Sequence, residues 1–221
     1  MEGWTPPAGT TTRWMLACMA GLAVGFPLAT LWGVLLVPEI LPRAYHVGIA
    51  AMALRAAGGA ILGGCLGMAQ AWALRRIHPA LSPLPWIGAT AAAGYCAALA
   101  SMAIFGLLMV QFGDLPGMGP ILAGPVVSGL AGGLLYGLAQ GLVLDRVVEG
   151  RAAWVWLVTL GWVLAGALAS LRWMFGLVGY GPVAMASGAV IGGVLEGLAL
   201  GLVTLRAFRL MPPRTATRPP P

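Results

Sequence analysis

The chain has 221 residues, of which 60% are hydrophobic and 8% charged. A soluble domain carries about a quarter charged residues, so this composition excludes a water-soluble globular protein and points to lipid. The net charge of +6 rests on twelve arginines set mainly at the ends of apolar runs, a placement that fits membrane topology and argues against nucleic-acid binding.

Residues 1–12 are rich in Pro, Gly and Thr with no hydrophobic period, and are expected to form a disordered tail. Residues 14–36 are apolar and long enough for the roughly 20 residues a bilayer core demands, with Pro27 predicting a kink near the middle. Pro38 and Pro42 are expected to break the helix over 37–43. Further spans are predicted over 48–74, 86–110, from Pro120 to Leu144, over 152–175 and over 182–206, separated by the proline-rich turn 79–85, the loop 111–120 and the polar link 145–151. Residues 207–221 read as a basic, proline-rich tail that forms no packed structure alone. The transmembrane domain thus covers 13–206, in hairpins 13–76, 86–146 and 152–206.

The second, fourth and sixth spans repeat one another. Gly67, Gly137 and Gly197 share one register, as do Gly63, Gly133 and Gly193, and each segment closes on an arginine. Gly59, Gly63 and Gly67, then Gly129, Gly133 and Gly137, then Gly193, Gly197 and Gly201 recur every four residues, forming small-residue stripes that let helix backbones approach closely in lipid. Cys96–Met102 likewise resembles Ala165–Leu171 on the odd spans. The expected fold is an all-α integral membrane protein of six transmembrane helices, arranged as three parallel-orientation helical-hairpin repeats packed through glycine stripes. Parallel repeats differ from the inverted repeats of many alternating-access transporters. Nine arginines (13, 75, 76, 146, 151, 206, 209, 214, 218) fall on one side and Arg43, Arg55 and Arg172 on or near the other, which predicts that both termini are cytoplasmic. Trp14, Trp72, Trp86, Trp154 and Trp156 are expected to form the interfacial belt on that side, with Trp32 and Trp173 on the other.

Chemistry is sparse. Cys18, Cys65 and Cys96 lie in apolar runs without metal-binding spacing and read as packed free thiols. Ser128-Gly129 and Ser187-Gly188 resemble the nucleophile segment of rhomboid intramembrane proteases. That chemistry needs a histidine on a later span, however, and His46 and His78 precede both serines. The two histidines are expected at opposite faces, which disfavours a shared haem or pigment. No cofactor, metal or catalytic constellation is assigned. Gln70 and Gln140 are equivalent in the repeats and are expected to be interhelical hydrogen-bond partners. Arg55, Arg172 and Glu196 break the repeat pattern. Arg172 is near enough to a helix end to snorkel. Glu196 lies well inside its span, where an ionisable residue is a functional-site hypothesis by default. The candidate intramembrane polar site is therefore Glu196 with Arg55, Gln70 and Gln140.

The pattern GxxxGxxQxxxLRR at residues 63–76, followed by a helix opening at Trp86, resembles that of small, uncharacterised multi-pass membrane proteins of bacteria. The resemblance implies a bacterial inner-membrane location and carries no activity with it. The expected role is a non-catalytic scaffold or accessory subunit, in contact with the bilayer and with a membrane-protein partner or a second copy, and not with nucleic acid. The alternative is a small-solute or ion transporter or channel with its polar site around Glu196.

Overall fold

The computed structural model describes residues 5–40, 48–112, 119–174 and 181–214. Among them are six helices long and apolar enough to cross a membrane. The first span is α1 (Thr10–Leu31), which runs through a π-helical stretch (Trp32–Leu36) into α2 (Val37–Ile40). The others are α3 (Ile49–Ile77), α4 (Pro83–Phe112), α5 (Gly119–Leu144), α6 (Arg151–Met174) and α7 (Pro182–Thr204), and a short α8 (Ala207–Leu210) follows. The protein is therefore an all-helical, multi-pass membrane protein.

Local chemistry accounts for most of the helix limits. Pro182 opens α7 in the first turn, where a missing N–H leaves no helical bond unmade. Gly150 and Gly181 precede α6 and α7 with φ of 82° and 88°, a left-handed backbone that side chains disfavour. At the end of the first span the structure departs from the expected break, because the helix continues through Pro38 to Ile40. The wide turn explains this: the Val37 N–H reaches back to the Trp32 carbonyl, five residues away, and this looser winding accommodates a residue with no N–H to donate.

The spans close into a ring. α1 packs on α3, α3 on α4, α4 on α5, α5 on α6, α6 on α7, and α7 returns to α1. Several glycines lie where neighbouring spans meet. A side chain at Gly63 would overlap the Thr90 carbonyl on α4. A Cβ on Gly137 would stand 2.9 Å from the Val155 Cα on α6, and one on Gly197 2.6 Å from the Met19 Cα on α1. Hairpin-internal contacts use glycine as well, from the other side: Gly21 and Gly25 of α1 lie against Leu66 and Leu62 of α3.

Aromatic side chains close one end of the ring. Trp14, Trp86 and Trp154, from α1, α4 and α6, have no solvent exposure, and the Trp154 ring meets each of the other two edge-on with centroids 5.7 Å apart. Phe208 of α8 packs on Trp14 at 5.0 Å. These three tryptophans are therefore not members of an interfacial belt. They point inward and fill the bundle, whereas Trp72 and Trp156 are 58% and 69% exposed and sit where a belt residue would. We call this the arginine-rich end, because Arg13, Arg75, Arg76, Arg146, Arg151, Arg206, Arg209 and Arg214 adjoin it.

Both tails are shorter than expected. Order begins before Thr10, whose hydroxyl donates to the Pro7 carbonyl at 2.7 Å. At the other terminus Ala207, Phe208 and Met211 are buried, Pro213 bridges to Val148, and Arg214 donates to the Val148 carbonyl and pairs with Asp145 at 3.1 Å. Apolar residues at 207, 208 and 211 give this segment a face to bury, which composition alone concealed.

His78, just past α3, is 3% exposed with its ring 6.5 Å from that of Phe208. Burial disfavours the imidazolium and lowers its pKa from the usual 6.5. The unfolded state therefore binds the proton more readily, so the folded state is favoured fully above about pH 6.5 and loses ground as pH falls below it. Thermal unfolding in detergent should show this loss, with a slope no steeper than about 1.4 kcal/mol per pH unit. His78→Gln should remove most of it.

Candidate functional site

Two buried polar groupings lie inside the ring. The first, on the inner side of the tryptophan layer, is a hydrogen-bonded chain. Gln140 Nε2 on α5 donates to Gln70 Oε1 on α3 at 3.0 Å and lies 3.2 Å from Thr90 Oγ1 on α4. Gln70 Nε2 faces Cys18 Sγ on α1 at 3.6 Å, and Trp154 Nε1 on α6 donates to Gln140 Oε1 at 3.2 Å. Five spans are thus tied at one level. The expected Gln70 and Gln140 pairing is present, and its amides are engaged with protein groups. In a low-dielectric interior such a satisfied network stabilises one register of the helices.

The second grouping surrounds Glu196. Its carboxylate, 4% exposed as a residue, accepts from Arg172 Nη2 at 2.5 Å. Arg172 Nη1 also donates to the Gly188 carbonyl at 3.1 Å. The guanidinium lies beside Gly192, about two to three turns into α7, where any side chain on that glycine would overlap it. Arg172 therefore reaches inward along α7 and does not snorkel outward. Arg55 does not join the site: it is exposed, and its helix α3 is not one of the two spans, α1 and α6, that flank α7 in the ring. The partner of Glu196 is thus Arg172 and not the expected Arg55, because a side chain near a helix end can turn inward as well as snorkel outward.

Glu196 also lines a central cavity of about 230 Å³ to which all six spans contribute. Its walls are largely small residues, such as Gly59, Gly94, Ala97 and Gly132, together with the rings of Phe26, Tyr136 and Trp162. Tyr136 stacks on Trp162 with centroids 4.8 Å apart and planes 15° from parallel. Its hydroxyl is buried and has no hydrogen-bond partner among the described residues. Ser101 and Ser128, 3.1 Å apart, form the remaining polar edge. Ser128, one of the two rhomboid-like serines, is thus bonded to another serine, and Ser187 donates to the Ala184 carbonyl.

Glu196, Tyr136 and Leu66 each stand immediately before a glycine, at 197, 137 and 67, and all three are buried. The inward position is therefore apolar, phenolic and carboxylic in turn. Of the cysteines, Cys18 is buried, Cys65 half-buried and Cys96 exposed, so the expectation of packed thiols fails for Cys96, which faces the outside of the ring. Among the described residues no cluster of three or more metal-ligating side chains occurs. Comparison with protein-family models, with curated proteins and with solved structures gives no match.

Proposed function

We propose that the protein binds a small solute in the central cavity and belongs to the transporter class, with Glu196 as the polar centre and Arg172 as its resident partner. The observation that carries this reading is the cavity itself: a space lined by all six spans, with a carboxylate and a buried hydroxyl among its lining groups. Ion pairs are costly in a bilayer interior, and hydrophobic side chains would fill the same volume at lower cost. The glycine faces are occupied by the protein's own α1, α4 and α6, which leaves them closed to a partner helix.

The architecture we infer is three hairpin repeats in parallel orientation, each glycine stripe seated on the first helix of the next hairpin. The equivalence of Trp86 and Trp154, each just before the residue that the facing stripe glycine meets, and of Leu66, Tyr136 and Glu196 supports it, with Cys18 in the tryptophan's place on α1. The tryptophan layer then closes the cavity towards the arginine-rich end. Arginine asymmetry favours that end as the cytoplasmic one, in a bacterial inner membrane. No catalytic role is assigned.

Ala97→Phe would project a ring into the cavity opposite Gly132. Purified protein should be thermally stabilised by at least one member of a panel of small cations, neutral alcohols and anions, and Ala97→Phe should abolish that stabilisation. If no solute stabilises the protein while a stoichiometric partner copurifies from native membranes, the scaffold reading replaces this one.

A further inference from the structure

We infer that the cavity takes a small organic ammonium ion, and that Arg172 is a tethered cation that holds Glu196 until the ligand replaces it. This rests on the solute-binding reading above and specifies its substrate class.

The cavity presents two kinds of surface that favour a cation. Glu196 places a carboxylate on the wall, whereas the Arg172 guanidinium lies on the far side, against Gly188 and Gly192, and is not among the lining groups. Phe26, Tyr136 and Trp162 are among the lining residues, and an aromatic ring attracts an ammonium group wherever a face is open to it. The buried Tyr136 hydroxyl, with no partner among the described residues, offers one acceptor or donor to a ligand's polar end. A volume of about 230 Å³ suits an ion of a few heavy atoms.

Charge balance sets the order of events. In the observed state Glu196 and Arg172 neutralise each other. A second cation beside the intact pair would leave one uncompensated charge in the bilayer interior, which is strongly disfavoured. The ligand must therefore take over the carboxylate while the guanidinium leaves. Arg172 stands near the end of α6, so its long side chain can turn towards the membrane surface. Gly192 permits the return, because the guanidinium seats only where that residue lacks a side chain.

The test is a titration of the purified full chain in mild detergent, read by thermal midpoint and by tryptophan fluorescence, since Trp162 borders the cavity. The probes are choline, its uncharged isostere 3,3-dimethylbutan-1-ol, and acetate. Choline should bind about tenfold or more tightly than the isostere, and acetate should give no stabilisation. Glu196→Gln should leave choline binding no tighter than the isostere. Arg172→Gln should tighten choline severalfold by removing the competitor. Gly192→Ala, which displaces the guanidinium while keeping its charge, should do the same and serves if Arg172→Gln does not fold. Equal binding of choline and the isostere to the unaltered protein would overturn the cation assignment and leave the cavity reading standing. Tight choline binding unchanged by both Arg172→Gln and Gly192→Ala would overturn the displacement. Absence of binding by all three probes to the unaltered protein and to Gly192→Ala would overturn the inference, while the solute panel and Ala97→Phe decide the cavity reading separately.

Discussion

Arg172→Met is expected to destabilise the bundle by about 3–5 kcal/mol, and combining it with Glu196→Leu should recover most of that loss. The side chains of Arg172 and Glu196 are only 16% and 5% exposed, so each depends on the other for compensation. Removing one partner leaves a charge with neither water nor a counter-ion. Removing both leaves two side chains of suitable bulk in an apolar setting, where packing can replace the salt bridge at little net cost. Unfolding of the purified protein in mixed micelles, measured for both single variants and the double variant, gives the coupling energy directly. Additive single effects would mean that the pair is not formed in the bilayer. Solute binding should be absent from the double variant even where stability is restored, which separates a role in holding the fold from a role in the cavity.

The six spans were legible in the sequence, because span length is a local property. Twenty apolar residues between turn signals read as a membrane helix whatever lies beside them. Glycine spacing placed Gly63, Gly133 and Gly197 on contact faces, and the structure puts backbone there. What remained hidden depended on which helix stands next to which. Trp14, Trp86 and Trp154 have the composition and position of belt residues, and only ring closure turns them inward. Glu196 was legible as unusual, being a lone carboxylate in an apolar run. Its partner was not, since Arg55 and Arg172 both adjoin the end opposite the arginine-rich one and only the adjacency of α6 and α7 selects between them. The packed segment around Phe208 was obscured by the prolines and arginines that follow it.

Gly63→Ala and Gly64→Ala, neighbours in sequence, should have opposite effects on stability. On Gly63 a methyl group would overlap the Thr90 carbonyl and stand 3.0 Å from the Ala91 Cα, both backbone atoms of α4 that cannot rotate away. The two helices would have to separate, forfeiting dispersion contacts along the whole interface, and in lipid no hydrophobic term compensates for that loss. A cost of about 1–3 kcal/mol is expected for alanine, as for other overpacked sites. Gly63→Leu should prevent ring closure altogether. On Gly64 the same methyl meets nothing within 4 Å, so only the helix preference of alanine acts, a gain of about 0.5–1 kcal/mol. Gly133→Ala, whose methyl would lie 2.7 Å from the Thr159 Cα, should follow Gly63→Ala if the interfaces are equivalent. Unfolding in mixed micelles ranks the three. Equal stability of Gly63→Ala and Gly64→Ala would show that α3 and α4 do not meet through that glycine, and with it the order of helices around the cavity would fail.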